Sequence, residues 1–183
     1  MEIEQEGASS GERLVIADFN GSGHLTNAGT AFGGWDSDPG DKTQSCRVRL
    51  IESERLGDTG FGLMLDYDVE SPNPAFNGFW MKLPDLRLNR FAAVSFSIKG
   101  DAGRGFTKRM WLELKQGPSR VGRYLFDGIT ADWQRVSIPL RDFDGIATVK
   151  TANEFVIVFD DQTVTGLTGV LYLDDVAFEP AGG

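Results

Sequence analysis

Apolar and polar residues alternate with a period of two along most of this sequence. Nowhere do they hold the 3.6-residue period of a long amphipathic helix. Val94, Phe96 and Ile98 alternate with Ser95, Ser97 and Lys99; Phe61, Leu63, Leu65, Tyr67 and Val69 alternate with Gly62, Met64, Asp66 and Asp68; Val136 and Ile138 alternate with Arg135 and Ser137. Each such run is a strand with one face on a core. Two runs, Phe155 to Phe159 and Val170 to Leu173, are apolar throughout and read as central strands covered on both faces. Further strand candidates lie near 13–19, 45–51, 77–83, 109–115 and 121–127, which makes about ten, mostly separated by Gly, Asp, Asn or Pro. Pro84 to Phe91 fits neither period and is read as a short helical turn. The pattern predicts an all-β, two-sheet antiparallel β-sandwich. Val94, Phe96, Ile98, Leu112, Leu114, Val136, Ile138, Ile157 and Leu173 are the expected core.

At 183 residues the chain is one ordinary domain, long enough to fold without disulfide or metal staples. Residues 13–179 are assigned to the sandwich. Residues 1–12, with four glutamates and no Lys or Arg, read as a solvated tail and lack the pattern of a secretory signal peptide. Residues 180–183 read as a linker or tail, as in a module of a larger multidomain protein. The net charge of −9 makes nucleic acid and anionic membrane poor partners. No apolar stretch approaches the length of a membrane span. The single cysteine, Cys46, excludes an internal disulfide and a zinc site built on cysteine pairs. The single histidine, His24, lies in a Gly-Ser-Gly-His turn and reads as solvated. Carboxylate pairs such as Asp66/Asp68 and Asp160/Asp161 invite a glycosidase reading, but 27 acidic residues produce such pairs by chance. No nucleophile elbow or zinc motif is present, so the chain is read as a non-enzyme.

Several motifs, in order, resemble those of family 11 carbohydrate-binding modules, within the galactose-binding-like jelly rolls. Leu14 to Gly21 resembles the family's opening strand, and Asn77 to Pro84 its strand ending in Leu-Pro. Val94 to Gly100, Trp133 to Phe143 and Leu171 to Val176 resemble its later strands. The set spans roughly residues 14–178. The complex I assembly-factor family shares some of these features. The resemblance implies a jelly roll, a structural calcium, a glycan-binding concave face, no catalysis, and an extracellular or cell-surface setting. There is a departure: the loop that carries ligand-binding charged and tyrosine residues in the family is Asp144 to Thr151 here and has no aromatic.

Two constellations are singled out. In strands 77–83 and 109–115, Trp80 and Lys82, and Trp111, Glu113 and Lys115, point away from the core. Arg123 does the same in strand 121–127. Indoles stack on the apolar face of a pyranose while charged neighbours pair with its hydroxyls, so these six residues are the candidate contacts for a poly- or oligosaccharide. The alternative is that either indole belongs to a small second core under a loop. In that case the molecule is a protein-interaction or structural sandwich that has lost sugar binding. The second constellation is Asp18, Asn20, Asp174 and Asp175. The first and last strands of such a sandwich are commonly neighbours, so these oxygens are the candidate calcium ligands. Asn20 stands where the family often has a glutamate. Asp36 to Asp41 lacks the EF-hand spacing and reads as a turn. Trp35, which ends the Gly-rich segment 27–35, either rims a ligand groove or pins its loop.

Overall fold

The alternating segments become eleven strands in the structure, a computed structural model that describes residues 11–181 apart from Ser22 and His24. The strands are β1 (Leu14–Ala17), β2 (Phe32–Asp36), β3 (Ser45–Ile51), β4 (Gly62–Asp68), β5 (Phe76–Arg87) and β6 (Phe91–Gly100), then β7 (Arg109–Gln116), β8 (Arg120–Asp127), β9 (Gln134–Pro139), β10 (Thr151–Asp160) and β11 (Thr168–Pro180). One sheet has the order β3-β4-β11-β6-β9, with β1 also paired to β11; the other has the order β2-β5-β10-β7-β8. All pairings are antiparallel. This is the expected two-sheet sandwich. Among the described residues no helix is long and apolar enough to cross a membrane. Most of the acidic N-terminal segment, and His24, lie outside the described residues.

The period-two pattern puts one set of side chains from each strand between the sheets. All nine expected core residues are buried. Phe79, Met81 and Leu83 from β5, Phe155, Ile157 and Phe159 from β10, and Met110, Leu112 and Leu114 from β7 belong to one cluster. Leu63, Leu65 and Tyr67 from β4 and Val94, Phe96 and Ile98 from β6 complete it from the other sheet. Tyr67 stacks on Phe159 across the gap with ring centroids 4.4 Å apart. Each such side chain contributes roughly 1.5–3 kcal/mol through removal from water.

The structure departs from the sequence reading at three places. The segment 32–36, read as the end of a Gly-rich loop, is strand β2. Its glycines are steric requirements of the neighbours: a β-carbon at Gly34 would clash with the Cys46 carbonyl, and one at Gly33 would meet the Trp80 ring. The helical turn expected over 84–91 shrinks to a single 3₁₀ turn, Leu88–Arg90. β5 runs on to Arg87 because Pro84 falls where the β5–β10 register is bulged, between the pairs Lys82–Glu154 and Leu86–Ala152, and so gives up no ladder bond there. Finally, β10 is apolar on both faces for a different reason than a second covering layer. Phe155, Ile157 and Phe159 face the core, whereas Val156 and Val158 line a surface groove.

Candidate functional site

β5 and β7 both pair with β10, so their outward side chains fall into rows across the five-stranded sheet. One row reads Gly33, Trp80, Val156, Glu113, Arg123 from β2 to β8. To one side lies the row Lys82, Glu154, Lys115. To the other lies the row Trp35, Gly78, Val158, Trp111, Leu125. The β2, β5, β10 and β7 parts of these rows leave an open groove of about 560 Å³ with Val156 and Val158 at its base. Trp35, Phe76, Trp80 and Lys82 line it from β2 and β5, Glu113 and Lys115 from β7, and Glu154 from β10. A second hollow of about 490 Å³ continues it past Lys82, Lys115 and Glu154 to Leu83, Gly117, Pro118 and Asn153.

The two groove indoles are seated on glycines. Trp35 lies over Gly78, where a β-carbon would sit 3.2 Å from its Nε1. It meets Phe76 edge-on, with centroids 6.0 Å apart. Its Nε1 is buried with no hydrogen-bond acceptor among the described residues. The Trp80 ring lies over Gly33, 3.3 Å from the position of a β-carbon there, and its Nε1 donates to the Gly34 carbonyl at 3.3 Å. Lys82 Nζ sits 5.9 Å from the centre of the Trp80 ring and donates to Glu154. Lys115 approaches the other Glu154 oxygen at 3.8 Å, so one carboxylate is shared between two ammonium groups.

Of the six residues proposed as sugar contacts, the structure brings Trp80, Lys82, Glu113 and Lys115 together in the groove. Trp111 and Arg123 share the face but do not line the groove. The Arg123 guanidinium covers the Trp111 ring at 4.0 Å, and Trp111 Nε1 donates to Thr163 Oγ1 at 3.1 Å. Arg123 Nε also lies 3.1 Å from Glu113, a charge contact without hydrogen-bond alignment. One of the two indoles proposed from the sequence is therefore already capped by a cation. Trp35, weighed in the sequence only as a rim or a pin, lines the groove. Phe76, Glu154, Val156 and Val158 were missed. Their signal was the register of β10, which a single strand does not reveal.

The loop Asp144 to Thr151 edges the sheet. The Arg123 and Asp144 backbones exchange two hydrogen bonds of 2.8 Å, and Ile146 occupies the space a side chain at position 122 would fill. Asp66 pairs with Arg104 on the other sheet. Asp160 and Asp161 accept backbone N–H groups of Gln162 and Ala75.

The four proposed metal ligands separate into two sets. β1 pairs with β11, which brings Asp18, just past the end of β1, into the electrostatic neighbourhood of Asp174. Asp174 is 3% exposed; its oxygens accept from the Leu56 and Asp175 backbone N–H groups at 3.0 and 2.7 Å. Burial, reinforced by the charges of Asp175 and Asp18, pushes its carboxyl up to about 6. Asn20 donates its N–H to Asp18 Oδ1 at 3.1 Å, and its side-chain oxygen fills the space above Gly60. Asp175 does not join them. It is bound by Arg13 at 2.8 Å and Arg135 at 2.7 Å, with its own φ at 52° in the left-handed region. Among the described residues no three His, Cys, Asp or Glu side chains come together as a metal cage.

No family model matches this sequence, and no curated protein matches it. Solved structures do. A family 11 carbohydrate-binding module of a cellulosomal cellulase of Clostridium thermocellum superposes with a TM-score of 0.68 at 16% identity, over 94% of this chain and 97% of that one. A family 11 module from Clostridium thermocellum in complex with a β-1,3-1,4-mixed-linked tetrasaccharide gives 0.67 at 15%, over 95% and 98%. A xylan-binding domain from Paenibacillus barcinonensis gives 0.59 at 12%, over 97% and 99%. At such identities the likeness is one of fold: over nearly its whole length this chain has the β-sandwich fold of family 11 carbohydrate-binding modules.

Proposed function

We propose that the protein is a non-catalytic carbohydrate-binding module that takes a poly- or oligosaccharide along the groove of the five-stranded sheet. The observation that carries the reading is the pair of indoles, Trp80 and Trp35, seated on glycines beside the Lys82–Glu154–Lys115 row in an open groove. Aromatic faces accept the C–H face of a sugar ring, and the charged row supplies directional contacts to its substituents. Both groove carboxylates, Glu113 and Glu154, are tied to cations, which leaves no free acid–base pair to flank a scissile bond. The natural setting of such a module is a larger secreted or cell-surface protein. The neighbour in complex with a β-1,3-1,4-mixed-linked tetrasaccharide and the xylan-binding one suggest the probes. A glycan array containing soluble β-glucans and xylans, followed by calorimetry, is expected to return dissociation constants on the order of micromolar to millimolar. Retention of no glycan overturns the proposal and leaves the interaction-scaffold reading in its place.

We further infer that Asp18 and Asp174, with the amide oxygen of Asn20, hold a calcium ion. Asp175 is excluded by its two arginines. A buried Asp174 carboxylate that feels the charge of the half-buried Asp18 is the feature that fits a divalent cation, which relieves their mutual repulsion. Calcium needs six to eight oxygens, so carbonyl groups or water complete the set. Millimolar calcium is expected to raise the melting temperature by about 5 °C over chelator-treated protein, by mass action on the native state. Asp174→Asn should remove the increment. Identical melting with calcium and with chelator refutes the site.

A further inference from the structure

We propose that the groove selects an anionic glycan, one carrying carboxylate or sulfate groups, with its acidic substituents at the end of the sheet where β10 begins. This rests on the reading of the groove as a saccharide site and narrows it to a ligand class.

The charge along the sheet is uneven although the chain as a whole is acidic, at −9. At the end where β10 begins, Lys82 and Lys115 lie in one row, Arg87 stands opposite Thr151, Arg120 stands opposite Gln116, and Lys150 adjoins Gln116 through its backbone N–H. Glu154, within the row, Glu113, two residues before Lys115 in the adjacent row, and Asp85, two residues before Arg87, oppose these five cations. Arg87, Arg120 and Lys150 are exposed and have no ion-pair partner among the described residues. The other end of the sheet is acidic: Asp36 stands opposite Asn77, and Asp160 opposite Phe76, with Asp161 following. The second hollow, which extends the groove, opens toward the cationic end.

The hydrogen-bonding capacity points the same way. One Glu154 oxygen accepts from Lys82, while the other and Glu113 are held by the charges of Lys115 and Arg123. Each ammonium carries three donors, so most of the lysine donors stay free. A neutral sugar hydroxyl presents both a donor and an acceptor. A carboxylate or sulfate oxygen presents acceptors alone and forms the stronger, charge-assisted bond. Lys82, at 5.9 Å from the Trp80 ring centre, is placed to reach an exocyclic acidic group on a sugar stacked there. Repulsion from the rest of the acidic surface is screened beyond roughly 8 Å at physiological salt, so the local cations decide the outcome.

The test uses matched pairs at physiological ionic strength: a polyuronate and its methyl ester, and a sulfated galactan and its desulfated parent, alongside neutral β-glucan and xylan. The acidic member of at least one pair is expected to bind about tenfold more tightly than its neutral partner. Which pair responds distinguishes carboxylate from sulfate. In a Lys82→Gln, Lys115→Gln double variant, its fold checked by melting, that preference should fall by about threefold or more. Equal binding of both members, a preference for the neutral one, or a preference untouched by the double variant overturns the anionic inference while the groove remains a glycan site. Failure to bind any of these polymers overturns the saccharide reading itself.

Discussion

Gly78→Ala is expected to destabilise the protein by about 3 kcal/mol, which lowers the melting temperature of a chain this size by about 10 °C. The sign is informative, because Gly to Ala in an extended segment with room for a methyl group is neutral or stabilising. Gly78 lies inside β5, paired on both sides: Val158 of β10 is its partner on one, Trp35 of β2 on the other. A β-carbon there would lie well inside the van der Waals radius of the Ile157 carbonyl oxygen and 3.2 Å from Trp35 Nε1. The first contact is with backbone in the middle of a sheet and cannot swing aside; β5 and β10 must separate. The second lifts the indole from its seat, so the damage reaches the groove as well. Gly23→Ala is the control: nothing lies within 4 Å of a β-carbon at that position, and its φ is ordinary, so its melting should change by no more than 1–2 °C. Thermal unfolding of both variants measures the difference. A Gly78→Ala protein that melts like wild type would mean that the strand pair has slack and that the Trp35 seat is not fixed by glycine.

Gly78 also marks where the sequence stopped being legible. Alternation in 61–69, 94–98, 109–115 and 135–138 carries its own burial face, so the sandwich and the inward set follow from each strand alone. The same alternation turns Trp80, Lys82, Trp111, Glu113 and Lys115 outward, as the structure finds them. What an isolated strand does not carry is its neighbour. Whether Trp80 and Trp111 meet depends on β10 lying between them, and that order arises from long-range pairing. Glu154 reads as an ordinary charge just before an apolar run until the register sets it between two lysines. β2 was lost because Gly-Gly is a turn signal by composition, and its reason for being glycine lies in Cys46 and Trp80. The acidic dyad Asp174–Asp175 was read as one unit. A left-handed backbone at Asp175 instead sends that carboxylate to two arginines, leaving Asp174 near Asp18.

The two outward tryptophans are expected to separate in function. Trp80→Ala should weaken glycan affinity by tenfold or more, at least about 1.4 kcal/mol, because it removes a central stacking face. Its cost in stability should be small, since the ring is half-buried and one face opens on the groove. Trp111→Ala should show the reverse. Its ring face is held by Arg123 and its N–H by Thr163, so truncation frees a cation that now stacks and leaves a hydroxyl without its donor. The expected loss is about 1–2 kcal/mol of stability, with affinity changed by less than about threefold, a fraction of one hot spot. Arg123 gives the cross-check. In Arg123→Ala the Trp111 face is uncovered, and if that ring were an idle sugar platform held shut by arginine, affinity would rise. With Trp80 as the anchor, it should not. Titration calorimetry against one retained glycan, with melting curves on the same samples, reads both quantities. A large affinity loss in Trp111→Ala, or a gain in Arg123→Ala, would move the binding face toward β7 and β8. Unchanged affinity in Trp80→Ala would remove the indole on which the groove reading depends.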